Sequence, residues 1–121
     1  MKIKVYHVER DEYERIISPK IISHGYIKAD KFDPEECHNL CNWFHWAKRQ
    51  PKNLYSDIDN TTHGLVLYNP QTKEYWLALS VGWLHGKLND IKRYLEDNWE
   101  KTIWNENEID EPPVLEGVRV L

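Results

Sequence analysis

The sequence predicts an α+β domain: an antiparallel sheet of four to five strands around a β-hairpin at residues 63–83, with two main helices, 34–49 and 87–102, packed on it. Two apolar runs flank Asn69-Pro70-Gln71-Thr72. Asn suits the first position of a type I turn and Pro presets φ at the second, so this tetrapeptide predicts the hairpin. Apolar residues recur at helical spacing in the other two segments, which predicts the helices.

The length and composition are those of one cytoplasmic domain spanning residues 1–121. A chain of 121 residues can bury about two-thirds of its unfolded surface and needs neither disulfides nor metals to fold. We find no apolar run of the length that a signal peptide or a membrane span requires, and expect no membrane association. The net charge of −4 argues against nucleic-acid binding by the chain as a whole, although a local basic patch stays open.

The first thirty residues predict a strand, a short helix and a third, ambiguous element. Lys2–Val8 alternates in polarity as a strand does, with aliphatic residues on both sides. Arg10–Ile17 carries apolar residues at helical spacing and stops before Pro19, which predicts a helix of two turns. Ile21–Ala29, interrupted by a glycine, fits either a short strand or an extended loop.

The helix 34–49 begins with strong start signals. Asp33 suits the N-cap and Pro34 the first helical position, and acidic residues follow in the first turn. Cys37, Cys41 and His45 are spaced by four residues, a pattern that could offer soft ligands to Zn²⁺. We interpret the two cysteines instead as reduced thiols in the core, and we expect no metal or other cofactor.

Strand alternation also predicts the register and the two faces of the hairpin. If Tyr68 pairs with Lys73, His63 lies opposite Ala78, and residues 79–83 of the second strand extend beyond the first. Either residues 55–60 or a terminal strand must then pair with them. On the second strand one face is bulky, with Tyr75, Leu77, Leu79, Val81 and Trp83, while the other face suits a close-packed helix.

The C-terminal third predicts a helix, an exposed loop and a closing strand. Helix 87–102 has an apolar stripe of Leu88, Ile91, Leu95, Trp99 and Thr102. Residues 105–113 are polar and acidic with a double proline, which indicates a loop. Val114–Leu121 is apolar enough for the closing strand.

The acidic charge is concentrated at the C-terminal end. Residues 96–116 hold eight acids and one base, interleaved with Tyr94, Trp99 and Trp104. Acids steer encounter with a basic surface and aromatic rings anchor it. Our first hypothesis is therefore a non-catalytic binding protein of the inhibitor, immunity or anti-defence type, from a bacterium or phage. Its partner would be a protein with a basic surface, and the expected contact residues are Glu96, Asp97, Glu100, Trp104, Glu106, Glu108, Asp110 and Glu111.

A second hypothesis is a small-ligand-binding protein or an enzyme. Imidazole and carboxylate groups at the edge of the sheet could hold a nucleotide or metal or perform acid–base chemistry. The residues that could form this site are His7, Asp57, Asp59, His63 and His85. A third hypothesis is a homo-oligomeric structural subunit whose exposed aromatic residues form the self-interface.

Overall fold

The computed structural model describes residues 1–47, 53–58, 63–80, 82–101 and 119–120. Two helices and one antiparallel sheet make up these parts of the chain, which confirms the α+β prediction. In chain order the elements are β1 (Lys2–Arg10), β2 (Ile16–Lys28), α1 (Pro34–Ala47), β3 (Leu54–Ser56), β4 (Leu65–Asn69), β5 (Glu74–Ala78), β6 (Trp83–Gly86), α2 (Leu88–Asn98) and β7 (Arg119–Val120).

The helices lie on opposite faces of the sheet. The strand order is β3-β2-β1-β4-β5-β6-β7, so the described chain has six strands of three or more residues and the two-residue β7 at one edge. Side chains alternate along β4, where Leu67 packs with Cys37 and Cys41 of α1, and Val66 packs with Ile91 of α2. The sheet therefore has a buried cluster on each side, and it holds more strands than the four to five predicted.

The predicted hairpin is present, but its register and its second strand differ from the prediction. Tyr68 pairs with Tyr75 rather than Lys73, because the four-residue loop begins one residue later, at Pro70. The Asn69 side chain accepts the Gln71 N–H, and Lys73 takes a positive φ of 60°. The second strand ends at Ala78, and a tight turn then starts β6, which places Trp83 opposite Ala78 on the face predicted to be small.

The predicted helix at 10–17 is wrong. Arg10 ends β1, Ile16 begins β2, and a turn joins them in which the Asp11 carboxylate accepts the backbone N–H groups of Tyr13 and Arg15. This local bonding satisfies the backbone groups that a helix would otherwise pair. The segment 21–29 is consequently the second half of a long strand rather than a short strand or a loop.

Of the two alternatives for the unpaired end of the hairpin, extension by residues 55–60 is wrong, whereas a terminal strand, β7, does pair beside the hairpin, with β6. Leu54–Ser56 instead pairs with the end of β2, at the opposite edge of the sheet from β6. The helices begin close to where they are predicted, and α2 ends at Asn98 rather than 102. The predicted loop 105–113 and most of the closing strand 114–121 lie outside the described residues; Arg119–Val120 is indeed a strand.

Candidate functional site

One row of side chains crosses five neighbouring strands on the α2 side of the sheet. Tyr55 pairs with Tyr26, Tyr26 with Lys4, Lys4 with Tyr68, and Tyr68 with Tyr75. Directly paired residues in an antiparallel sheet point to the same face, so the five side chains form a continuous line. Lys2 and Lys28 pair with each other one row further out. We call this surface the Lys–Tyr face, consisting of Lys2, Lys4, Tyr26, Lys28, Tyr55, Tyr68 and Tyr75.

The rings of this face contact one another. Tyr26 and Tyr55 stack with 5.0 Å between ring centroids and 13° between planes. Tyr68 and Tyr75 lie 4.8 Å apart at 39°. Tyr55 is 45% exposed, while Tyr26, Tyr68 and Tyr75 are half-buried. The aromatic surface is therefore held rigidly by its neighbours and is still open to solvent.

The lysines of this face lie over the tyrosine rings. The ammonium groups are 4.7 Å (Lys2 to Tyr26), 5.9 Å (Lys4 to Tyr68) and 5.1 Å (Lys28 to Tyr55) from the ring centroids. All three lysines are exposed, and none forms an ion pair with another residue of the described chain. Within the described residues, cation–π contact orients these ammonium groups, and no carboxylate is bonded to them.

Helix α2 covers only the other half of the same sheet face. It is anchored by Ile91, Tyr94 and Leu95, which pack against a cluster that includes Val8 and Leu84. The boundary is Tyr6, half-buried and 6.0 Å from Tyr75, where burial and the neighbouring tyrosine raise the pKa of the Tyr6 hydroxyl. Among the described elements, α2 is too short to cover the Lys–Tyr face.

His7, a predicted ligand residue, is fully buried. Its Nδ1 donates to the carbonyl of Val8 at 2.7 Å, so the neutral ring carries no proton on Nε2. Nε2 is buried without a partner among the described residues, beside the backbone of Gly64. Burial, followed by the positive charge of Arg10 and neighbouring histidines, lowers the pKa of His7 to about 3. Burial also lowers the pKa of His63.

The structure brings some of the predicted ligand residues near one another and separates others. His63 and His24, the partner of Asp57, are close enough to His7 to affect its pKa, whereas His85 lies elsewhere. Exposed Asp57 pairs with His24 at 2.9 Å near the β3 edge, far along the strand order from His85 on β6. His85 lies on β6, separated from His7 on β1 by β4 and β5, which is roughly 14 Å at the usual strand spacing. Asp59 lies outside the described residues. Within the described ranges no three His, Cys, Asp or Glu side chains are arranged to hold a metal ion.

His85 belongs instead to an aromatic cluster under α1. Its ring stacks on Trp76 with centroids 4.0 Å apart and 7° between planes, and its Nδ1 lies 3.0 Å from the Glu74 carboxylate. The indole N–H of Trp83 donates to Glu35 of α1 at 2.7 Å. These contacts join the helix to the sheet and explain the near-complete burial of His85 and Trp83 as packing.

Burial raises the pKa of both cysteines, Cys37 and Cys41, to about 12. The two thiols are free and lie in the core, as predicted. They are poor nucleophiles and poor metal ligands in this state, because both roles require the thiolate. The His45 side chain lies outside the described part of the chain.

Three of the eight predicted partner-binding residues can be located. Glu96, Asp97 and Glu100 are exposed along α2 and the turn after it, whereas Trp104, Glu106, Glu108, Asp110 and Glu111 lie outside the described residues. Tyr94, expected beside these acids, is buried in the core. The exposed basic residues Lys92, Arg93 and Lys101 share this region, so the described part of it is close to neutral.

Sequence reasoning missed the Lys–Tyr face, although part of its signal was present. In Lys2–Tyr6 the even positions are Lys, Lys and Tyr while the odd positions are aliphatic, which is the alternation of a strand with one solvated face. The contribution of β2 and β3 depends on pairing between residues about 20 to 30 positions apart, which this alternation does not reveal.

No helix in the described ranges has both the length and the apolar character needed to cross a membrane. Comparison with known protein families, curated proteins and solved structures gives no match, so the function of this chain has to be inferred from its own residues.

Proposed function

We propose that this chain is a non-catalytic binding protein whose Lys–Tyr face holds single-stranded nucleic acid, either RNA or DNA. The observation that carries the proposal is the row Tyr55, Tyr26, Lys4, Tyr68 and Tyr75 across five strands, flanked by Lys2 and Lys28. Aromatic rings and unpaired ammonium groups are the two features that single-strand binding surfaces combine.

Each component of the face fits one part of a nucleotide. Half-exposed tyrosine rings on a sheet can stack on unpaired bases, and such surfaces accommodate about two or three bases. The three lysines can reach phosphates because no carboxylate of the described chain neutralises them. A duplex would bind poorly, since its bases are stacked inside and cannot reach the rings.

The net charge of −4 does not oppose this proposal. Charge acts locally, because exposed charges more than about 8 to 10 Å apart are largely screened at physiological salt. The lysines of the Lys–Tyr face lie on β1 and β2, whereas the exposed acids Glu96, Asp97 and Glu100 lie along α2. Asp30, Asp33 and Glu36 lie nearer to two of these lysines, but no ion pair joins them within the described residues. The total charge argues against nucleic-acid binding by the chain as a whole but leaves a local basic patch open, and the sheet places Lys28 beside Lys2 and Lys4.

Fluorescence anisotropy with labelled eight-nucleotide U or dT strands tests the proposal. We expect binding at low salt that weakens as salt rises, with a slope in log K against log salt of about −2 if three phosphates are neutralised. Replacing Tyr26 and Tyr55 together by Ala should weaken binding at least tenfold, because each lost stack contributes about 1 to 3 kcal/mol. Lys4→Gln should reduce the slope by about 0.7.

Two matched variants control for composition. Tyr13 is 71% exposed beside Arg15 in the β1–β2 turn, so Tyr13→Ala removes a tyrosine with a nearby cation away from the Lys–Tyr face. Lys92→Gln removes one exposed positive charge from α2. Both should bind as the wild type does. Equal affinity of the Tyr26/Tyr55 variant and the wild type, or no binding by the wild type at low salt, would reject the proposal.

A second candidate function is docking onto a basic protein surface through the acidic C-terminal region. The observation in its favour is that Glu96, Asp97 and Glu100 all face solvent on or beside α2. The proposed surface extends through the residues at 104–111. In this case the chain would act as an inhibitor or immunity-type protein and would need no cofactor.

Charge reversal tests the second candidate. Changing Glu96, Asp97 and Glu100 together to Lys should slow association with a basic partner protein roughly tenfold or more and weaken its salt dependence, because acids steer the encounter. Association rates can be measured by surface plasmon resonance after affinity recovery of a partner from cell lysate. The same variant should bind single strands no more weakly than the wild type, and this separates the two candidates.

A further inference from the structure

A cavity opens directly beside the outer row of the Lys–Tyr face. It lies between the first turns of α1 and the ends of β1 and β2, has a volume of about 630 Å³, and is lined in part by Lys2 and Lys28. This volume is within the range of roughly 300 to 1,000 Å³ that is usual for small-molecule sites. The apolar lining of the cavity belongs to the α1 side of the sheet, whereas the Lys–Tyr face is on the α2 side. A strand bound on the face would therefore reach the cavity around the end of the sheet, where Lys2 and Lys28 border both surfaces.

The cavity combines an apolar wall with hydrogen-bond acceptors. Ile27, Cys37 and Leu40 supply the apolar wall. The carboxylates of Asp30, Asp33 and Glu36 also line it, and an ionised carboxylate can only accept hydrogen bonds. Lys31 and Asn53 complete the polar lining and can donate hydrogen bonds, to a phosphate among other groups. The Cys37 thiol stays protonated because burial raises its pKa, so it adds no negative charge.

From this lining we infer that the cavity is a subsite for the terminal base of a bound single strand, selective for a base with an exocyclic amino group. The ring would lie against the apolar wall, and the amino group of adenine, cytosine or guanine would donate to a carboxylate, as cytosine N4 does to Glu or Asp in other complexes. Uracil and thymine have no such amino group. Lys2 and Lys28 would hold the phosphate at the entrance. The inference rests on the proposed function.

The test uses the full chain and labelled eight-nucleotide strands. One probe has seven uridines and a terminal adenosine, a second ends in uridine, and a third ends in an abasic residue; each is made with the variable residue at the 5′ or the 3′ end. We expect the wild type to bind the adenosine probe at least fivefold more tightly than the other two at one of the two ends. We expect all three probes to compete for the same Lys–Tyr face.

Two variants fill the cavity by different routes. Leu40→Trp enlarges a side chain of α1, and Ala29→Leu enlarges one on the segment after β2, whose backbone hydrogen bond to Met1 does not involve the side chain. Each should remove the preference for adenosine while leaving affinity for the abasic probe within twofold of the wild type. Circular dichroism melting identifies a variant that fails to fold, in which case the other decides.

The possible failures can be told apart. If the wild type binds none of the probes, the proposed function is wrong. If it binds the adenosine, uridine and abasic probes equally at both ends, the face binds single strands but the cavity is not a base subsite. A preference for adenosine that survives in both folded variants also overturns the inference.

Discussion

Lowering the pH from 7.5 to 4.5 should destabilise the wild-type chain by roughly 2 to 3 kcal/mol more than a His7→Leu variant. His7 is 1% exposed, and burial lowers its pKa to about 3, against 6.5 for an accessible histidine. Between these two values the unfolded chain binds a proton at His7 that the folded chain does not. The stability associated with the neutral ring is therefore complete above about pH 6.5 and is lost as pH falls toward 3.

Urea unfolding of both proteins at several pH values measures this effect. At pH 7.5 the free energy of unfolding of the variant should be lower than that of the wild type by no more than about 1 kcal/mol. The variant loses the hydrogen bond to Val8, but it also no longer buries the unpartnered Nε2, and the two effects oppose each other. Other titrating groups, including Asp11, whose pKa is lowered by its bonds to Arg15, are common to both proteins and cancel in the difference. If the free energies of unfolding of the two proteins changed with pH in the same way, His7 would have to be protonated in the folded state at pH 4.5.

The elements that sequence reasoning located correctly are those with strong local chemistry. Helix α1 starts where Asp33 and Pro34 predict, and the Asp33 carboxylate accepts the Glu36 N–H. The hairpin turn is also found, because Asn69 and Pro70 restrict the backbone directly. Short apolar runs were assigned wrongly. The three apolar residues between Arg10 and Pro19 fit the helical period as well as the strand period, and the hydrogen bonds of Asp11 make this segment a turn.

The break between β5 and β6 explains why the two faces of the hairpin were misassigned. The predicted faces assume one uninterrupted strand from Tyr75 to Trp83. The chain instead turns after Ala78: Gly82 has a φ of 80°, and its carbonyl accepts a hydrogen bond from the Leu79 N–H. Trp83 therefore returns on the Trp76 side and packs under α1. A turn that contains one suitable glycine among apolar residues gives a weak sequence signal.

The candidate site was less predictable than the fold because it depends on which strands are neighbours. Lys4 is adjacent to Tyr26 and Tyr68 only because β1 lies between β2 and β4. Charge summed over long segments of the sequence does not reveal three lysines that come together from two strands. A histidine count, by contrast, pointed to His7 and His85, which the fold buries on different strands for packing.

Gly25→Ala should destabilise the chain by about 3 kcal/mol or more and also weaken single-strand binding. Gly25 has a φ of 116°, where side chains are strongly disfavoured, and an added Cβ would lie 2.0 Å from the backbone oxygen of Tyr55. The clash is with backbone, so β3 has to move away from β2. That movement takes Tyr55 off the ring of Tyr26 and breaks the aromatic row of the Lys–Tyr face.

Comparison with Gly82→Ala separates backbone strain from loss of strand pairing. Gly82 also has a positive φ, in the turn before β6, so its replacement carries a conformational cost of about 1 to 2 kcal/mol away from β3. Urea unfolding should show the larger loss for Gly25→Ala, and the folded fraction of that variant should bind single strands no better than Tyr55→Ala. If Gly25→Ala matched Gly82→Ala in stability and the wild type in binding, β3 would not be needed to position Tyr55. The stacking surface would then have to be assigned to Tyr68 and Tyr75 alone.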